Sequence, residues 1–311
     1  MKALDLHDKC GANWISLRRA GIQDIWIPDK PIFLDPSIIP RGKKQDPDII
    51  TYERPEITTE TISTLQQTDY RPKMIIIDSP NRIQRSSTKK IITQIEEDYG
   101  YITAGVTLKN NHYQYRRKTF TINTKYFNTP LNDENTYLVL FNKDIYMDFA
   151  KEIRNSPIPQ AKPTPNTQKL PDYLDIPLRM PYYFLSQQEA NKALRRNHHI
   201  LDASTHCLTP TTPEQMQQTE KYQLIEDDAW QVEGNVNRQG LRYPTPFEYA
   251  KLQGYIGYGF CDDKMGDTYK VKPVPPNELY EYFTNTISVQ TTETIVKRYV
   301  NKLKEYDGRL S

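Results

Sequence analysis

Cysteine, glycine and long apolar runs are all scarce in this chain of 311 residues, and each scarcity removes a class of protein. Cys10, Cys207 and Cys261 are the three cysteines and stand far apart, so neither a disulfide framework nor a zinc set is expected, which fits a reducing compartment. Twelve glycines, about 4% against a usual ~7%, are few for an enzyme built on glycine-rich cofactor loops. The longest aliphatic runs, such as MIII at 74–77, fall far short of the roughly 20 apolar residues of a membrane span, so no membrane partner is expected. The opening MKALDLHDKC has no apolar stretch between its charges and a cleavage site, so no secretory signal is expected. An excess of one charge is lacking too: 41 Lys+Arg against 39 Asp+Glu leaves +2. With no global field to steer polyanions, affinity for nucleic acid must come from local patches. What remains is a globular composition, 37% hydrophobic and 26% charged, long enough for a sizeable core and a second, smaller domain.

The first half alternates short aliphatic runs with helix-period segments: ALDL at 3–6, NWISLRRAGI, IWI at 25–27, DII at 48–50, MIII at 74–77, TKKIITQIEEDYGY and YLVLF at 137–141. That alternation predicts parallel strands with crossover helices, an α/β doubly wound domain over 1–150. The composition changes near 155, where SPIPQAKPTPNTQKLPDYLDIPLRMP predicts an extended, irregular connection. An irregular insert is expected over 151–240, with QQEANKALRRNHHIL as one helix, and a regular C-terminal segment over 241–311 that returns to the first domain. PTPFEYAKLQGY begins like a capped helix with Thr245 at the N-cap, Pro246 at the first position and Glu248 at the third. VQTTETIVKRYVNKLKEY predicts an amphipathic helix with Val289, Ile295, Val296, Val300 and Leu303 inward.

Read in order, these segments resemble a DNA (cytosine-5) methyltransferase from end to end. MKALDLHDKCGANWISLRRAGI is similar to that family's first strand, cofactor loop and first helix, with its Asp-Leu-Phe-x-Gly-x-Gly-Gly. IWIPD at 25–29 resembles the second strand, and PDIITYERPE at 47–56 occupies the place of the catalytic Asp-Leu-x-x-Gly-Gly-x-Pro-Cys. RPKMIIIDSPNRI resembles the strand ending in Glu-Asn-Val, and NTKYFNTPLNDENTYLVLFNKD the segment with Pro-Gln-x-Arg-x-Arg. RYPTPFEYAKLQGY at 242–255 is the most specific match, to Arg-x-Leu-Thr-x-Arg-Glu-x-Ala-x-Leu-Gln-Gly-Phe. YEYFTNTISVQTTETIVKRYVNKL resembles the closing Gly-Asn-Ser segment and the helix that packs back onto the first domain. The resemblance implies a Rossmann-like methyltransferase sheet with a smaller, irregular target-recognition-like domain inserted at 151–240.

The frame is kept and the chemistry is altered. The family's cysteine adds to C6 of a flipped cytosine. Register from Asp48 places Glu56 there, and a carboxylate is a poor nucleophile for that addition. The base-holding glutamate is matched by Asp78, one methylene shorter, which could equally cap the next helix. The Arg-x-Arg pair falls on Asp133 and Asn135 and the preceding glutamine on Leu131, so cations are lost from that edge. On the cofactor side the resemblance implies Asp5, His7, Gly11, Asp29 and Asn285, but two of three loop glycines carry side chains and Lys9 would repel a sulfonium. The expectation is therefore no bound cofactor, with S-adenosylmethionine as the one candidate. Arg82, Arg85, Lys89 and Lys90 follow the strand that resembles the DNA-facing edge, and Arg116, Arg117 and Lys118 lie beside Tyr113 and Tyr115. These suit phosphate contact, although basic runs are more often solvated faces. His198 and His199 lack further ligands at metal spacing, so no metal site is expected.

The resulting expectation is a DNA cytosine-5 methyltransferase-like pseudoenzyme in DNA modification or restriction. It would act as a DNA-binding or regulatory module, with DNA, an active methyltransferase or a restriction subunit as partner. A cytoplasmic location is expected, the host cytoplasm for a phage or mobile-element origin. Two rivals are an active S-adenosylmethionine-dependent DNA-modifying enzyme with an unusual active site and a scaffold-only interaction protein.

Overall fold

The structure, a computed structural model, describes residues 1–6, 11–27, 47–53, 71–79, 94, 97–103, 120–123, 131, 133–144, 146–147, 149, 170–174, 183–195, 199–200, 208–219, 223–227, 237–255, 276–284 and 286–310. Its strands are β1 (Lys2–Leu6), β2 (Asp24–Trp26), β3 (Ile49–Glu53), β4 (Met74–Ser79), β5 (Tyr101–Thr103), β6 (Phe120–Asn123), β7 (Glu134–Asn142), β8 (His199–Ile200), β9 (Gln223–Glu226) and β10 (Leu241–Arg242). Its helices are α1 (Ala12–Arg19), α2 (Gln187–Arg195), α3 (Pro213–Thr219), α4 (Pro246–Leu252), α5 (Pro276–Thr284) and α6 (Val289–Leu310).

Two units divide the chain. The first comprises Met1–Asn123, Glu134–Gln160 and Ile287–Ser311, and the second Thr124–Asp133 and Ala161–Thr286. The chain returns to the first unit at 287. The capped segment at 241–255 is tied by its own hydrogen bonds to β9 and to α5, through Arg242 and Gln253, and so stays with the second unit.

In the first unit the sheet order is β2-β1-β3-β4-β7-β5, with β6 also on β7. β2, β1, β3 and β4 are parallel neighbours, as the aliphatic runs predict. β7 differs: YLVLF runs antiparallel to β4, β5 and β6. It follows β6 directly and pairs back onto it, and an antiparallel neighbour needs no crossover helix. Side chains alternate across the sheet. Leu4, Leu6, Ile50, Tyr52, Ile75, Ile77, Leu138 and Leu140 share one core cluster with Tyr101. Each such buried aliphatic side chain contributes about 1.5–3 kcal/mol. The alternate residues, among them Ala3, Ile49, Met74, Ile76, Val139 and Phe141, are equally buried and face the other way.

That second face is covered by α1 and α6. Ser16 donates to the Val289 carbonyl at 3.4 Å, Arg19 pairs with Glu293 at 2.8 Å, and the Phe141 and Tyr299 rings lie 6.1 Å apart. Val289, Ile295, Val296, Val300 and Leu303 are fully buried, the inward stripe that the periodicity predicts. At the amino ends of the strands, Lys73 bridges Asp48 at 3.5 Å and Asp307 at 2.8 Å, while Tyr146 donates to Asp307 at 2.6 Å. The last turns of α6 are thereby fastened to the sheet. Burial alone would lower the Lys73 pKa, but the hydrogen bond and charge of Asp307, with Asp48, outweigh it and hold the ammonium above its ordinary value.

In the second unit, β9 lies between β10, antiparallel, and β8, parallel. Its core joins Leu185, Ala190, Ala193, Met216, Leu224, Leu241 and Tyr243. The helix expected over QQEANKALRRNHHIL ends at Arg195, and His199–Ile200 is a strand beside Gln223–Leu224. Only the stretch before Arg195 has alanines at helical spacing, Ala190 and Ala193, to bury.

Candidate functional site

A sheet face under two helices should be apolar, and toward the carboxyl ends of its strands this one is not. Asp5, Thr51, Asp78 and the Tyr137 hydroxyl lie on the face covered by α1 and α6, and Asp5, Asn13, Ser16, Thr51, Asp78, Asn135, Thr291 and Thr292 are completely buried. Strand register builds the band: Asp5 is the neighbour of Thr51, and Asp78 of Tyr137. The Thr51 hydroxyl donates to Asp5 Oδ1 at 2.7 Å. From the first turn of α1, Asn13 Nδ2 reaches Asp78 Oδ1 at 3.5 Å. The Tyr137 hydroxyl and Thr292 Oγ1 are 2.9 Å apart.

Gly11 places α1 at this seam. It is the N-cap residue at φ 78, in the left-handed region, and it gives α1 no side-chain cap. A β-carbon there would be strained, so the residue type is dictated by the turn from loop into helix. The amino terminus of α1 and two buried carboxylates therefore stand at one end of the sheet, where open α/β sheets hold their ligands. Leaving a buried polar group unsatisfied costs about 1–3 kcal/mol, so a polar band is a poor way to stabilise a sheet. Chemically, two carboxylates in a low-dielectric seam favour a cation or a donor-rich ligand.

A second polar centre lies in the second unit. Arg242, with no exposure, donates to Glu248 through both terminal guanidinium nitrogens at 2.7 and 2.9 Å, to Asp227 from Nε at 2.7 Å, and to the Tyr243 carbonyl at 3.1 Å. Burial alone would lower the Arg242 pKa, but the hydrogen bonds and charges of Glu248 and Asp227 outweigh it and raise it. Glu248 also accepts from the Thr245 amide at 2.7 Å, and its own amide donates to Thr245 Oγ1 at 3.1 Å. This is the capping box that the spacing predicts, with Pro246 at the first position. The sequence pattern singled out Arg242 and Glu248 within one motif; their fork shows why they stand six residues apart.

Of the sequence-derived candidates, the structure brings Asp5, Gly11 and Asp78 to one seam. Asp78 lies within β4, where Asn13 of α1 donates to it. Asp133 precedes β7, and Asn135 is buried in it. Glu56, His7, Asp29, Asn285, Arg82, Arg85, Lys89, Lys90, Arg116, Arg117 and Lys118 lie outside the described residues. Among the described residues, no cluster of three or more His, Cys, Asp or Glu could hold a metal ion, and no helix is long and apolar enough to cross a membrane. Sequence reasoning missed Asn13, Thr51 and Thr292. The signal available for Thr51 was a hydroxyl inside the aliphatic run IITY.

No family model matches the chain. It is 22% identical over 263 residues to the type II methyltransferase M.HpaII of Haemophilus parainfluenzae, a match covering 75% of this chain. The match spans 62% of that enzyme, under two thirds of its length. Among solved structures, the chain is similar to the Dnmt2 methyltransferase of S. pombe, with a TM-score of 0.61 at 15% identity over 97% of this chain and 99% of the other. It is similar to a mutant form of Spodoptera frugiperda DNMT2, with a TM-score of 0.59 at 15% identity over 95% and 98%. The Entamoeba histolytica methyltransferase EhMeth gives 0.58 at 12% identity over 97% and 98%. At such identities the structural likeness establishes the fold: an α/β methyltransferase fold in which the expected sheet is recovered.

Proposed function

From a chain that is homologous to a type II methyltransferase and has the methyltransferase fold, in keeping with its resemblance to the DNA (cytosine-5) methyltransferases, we propose a DNA-methyltransferase-like protein that no longer methylates cytosine. It acts as a DNA-binding or regulatory module in DNA modification or restriction. The observation that carries this reading is the state of Asp78, the counterpart of the base-holding glutamate. It is one methylene shorter than the glutamate it replaces, and Asn13 of α1 donates to it at 3.5 Å, so its reach toward a flipped base is reduced. Glu56 at the nucleophile's place supports the same reading, because a carboxylate is a hard, weakly carbon-directed nucleophile. Asp133 and Asn135, where the resemblance has two arginines, withdraw the cations that would grip base and backbone.

On the cofactor side, Asp5 and Gly11 are kept although two loop glycines are not. S-adenosylmethionine is cationic at its sulfonium and its ammonium group, which suit the acidic seam, while its carboxylate is the group that an uncapped helix amino terminus favours. Asp5 and Gly11 are the described residues that would hold it; when bound it supplies an activated methyl group. Asp5 contributes negative charge in a water-poor setting, and Gly11 lets the backbone approach closely. Cofactor binding without methylation is thus part of the reading, with DNA as the partner that the family resemblance supports.

The decisive assay incubates purified protein with isotopically labelled S-adenosylmethionine and DNA, followed by nucleoside mass spectrometry. No 5-methylcytosine above a mock reaction is expected. Label in cytosine that is lost in Glu56→Gln would establish an active enzyme and remove the proposal.

A further inference from the structure

Asp5 and Thr51 share a hydrogen bond of 2.7 Å between register partners on β1 and β3, and both side chains are wholly buried. The hydroxyl has no packing purpose there. Valine has the same shape and a higher preference for strands, and the preceding residues Ile49 and Ile50 are aliphatic. The hydroxyl's work is on the carboxylate. A donor to one oxygen favours the ionised form over the protonated one, and it stops the carboxylate plane from turning.

Two effects oppose ionisation of Asp5. Burial penalises the charge, and Asp78 on β4 presents a like charge two strands away, on the order of 10 Å by strand spacing. The charged residues of the surrounding elements include Lys2 on β1, Asp24 on β2, Asp48 before β3, Glu53 closing β3, Lys73 before β4, Glu134 opening β7, Arg18 and Arg19 in the last turn of α1, and Glu293, Lys297 and Arg298 on α6. Glu53, the register partner of Asp78, is a further acidic residue at the carboxyl end of these strands. The Thr51 hydroxyl is a contact on Asp5 that favours its charge.

We infer that Thr51 is a positioning residue, whose hydroxyl holds Asp5 as a fixed, ionised carboxylate for the cationic end of a ligand of the S-adenosylmethionine class. This rests on the cofactor part of the reading above. The loss in Thr51→Val is a loss of orientation and charge at Asp5, with the rest of the seam's shape retained.

The test uses the full chain as wild type, Thr51→Val, Thr51→Ser and Asp5→Asn, with Thr51→Ala in case valine prevents folding. Thermal unfolding verifies that each variant is folded. Carbon-detected NMR follows the Asp5 carboxyl through an acid titration without ligand, and calorimetry measures binding of S-adenosylmethionine. In Thr51→Val the Asp5 midpoint moves to higher pH and affinity falls about tenfold, the size of one charge-assisted hydrogen bond. Thr51→Ser restores both, and Asp5→Asn makes affinity insensitive to the residue at 51. A midpoint and an affinity unchanged by Thr51→Val would overturn the inference and leave the cofactor reading standing. Wild type that binds no S-adenosylmethionine, yet shows the shifted Asp5 midpoint in Thr51→Val, would overturn the cofactor reading and support the role of Thr51 toward Asp5.

Discussion

Replacing Arg242 by alanine takes the guanidinium away from two carboxylates that have no contact with solvent. Three short bonds are involved: 2.7 and 2.9 Å to the two oxygens of Glu248, and 2.7 Å to Asp227. The native arrangement gains modestly over an apolar one, since desolvating three ions offsets most of their attraction. Breaking it is another matter. A buried carboxylate deprived of its cation must either remain charged in a poor medium or take up a proton, and the cost for such a site is about 3–5 kcal/mol. For the unit that contains it, this lowers the unfolding midpoint by about 10 °C. Glu248 is also the acceptor for the Thr245 amide, so the damage extends to the first turn of α4. Hydrogen exchange is the suitable assay, because amides of α4 and β10 report this unit directly. A double-mutant cycle of Arg242→Ala with Glu248→Ala should give a coupling of at least about 2 kcal/mol. Replacing Arg242, Asp227 and Glu248 together by apolar residues should recover most of the loss, short of about 1 kcal/mol for the cap. An Arg242→Ala protein with native exchange rates at α4, or a cycle with no coupling, would refute the reasoning.

Two further outcomes concern pH. Partial burial alone would raise the Glu293 carboxyl, but the hydrogen bonds and charges of Lys297 and Arg19 outweigh it and hold the group below its ordinary value. A depressed carboxylate contributes stability that is present above its unfolded pKa and is lost as pH falls through the folded one, so the α1–α6 tie weakens below about pH 4.5. Glu293→Gln should flatten this acid limb by up to about 1 kcal/mol in denaturant titrations, and an unaltered limb would contradict the assignment. Burial pushes the Tyr101 phenol up to about 12, partly countered by the charge of Arg71. Its hydroxyl donates to the Pro72 carbonyl at 3.2 Å. A raised phenol contributes stability that is complete below pH ~10 and lost as pH rises toward the folded value. Tyr101→Phe should therefore reduce alkaline destabilisation, measured by tyrosinate absorbance against unfolding, and equal alkaline limbs would count against it.

Local signals were legible and lateral ones were not. The capping box at Thr245–Glu248 and the inward stripe of α6 depend on spacings of three, four and seven residues, which a sequence displays directly. The aliphatic runs of β1, β3 and β4 were readable for the same reason. Strand direction is different: nothing in YLVLF distinguishes an antiparallel β7 from a parallel one, because both bury alternate residues on two covered faces. The partners of the polar seam are separated by 46 residues for Thr51 and Asp5 and by 65 for Asn13 and Asp78. Only the register of neighbouring strands and the placement of α1 bring them together. Asp227 joins Arg242 across a similar gap in information, since no periodicity links a loop acid to a residue 15 positions later. The family resemblance marked Asp5, Gly11 and Asp78 as a set but gave no account of Asn13 or Thr51, which occupy positions that its motifs leave open.

The first unit is discontinuous, and that has a consequence during synthesis. β1 to β4 leave the ribosome roughly two hundred residues or more before α6, the helix that roofs one side of them. Until α6 arrives, Ile49, Met74, Ile76 and the acidic seam have no lid from that helix, so the nascent sheet is sticky and wet at once. The whole second unit must be made in this interval. A chain stalled or cleaved before 287 should be a substrate for chaperones and proteases, and α6 supplied in trans as a peptide should rescue it.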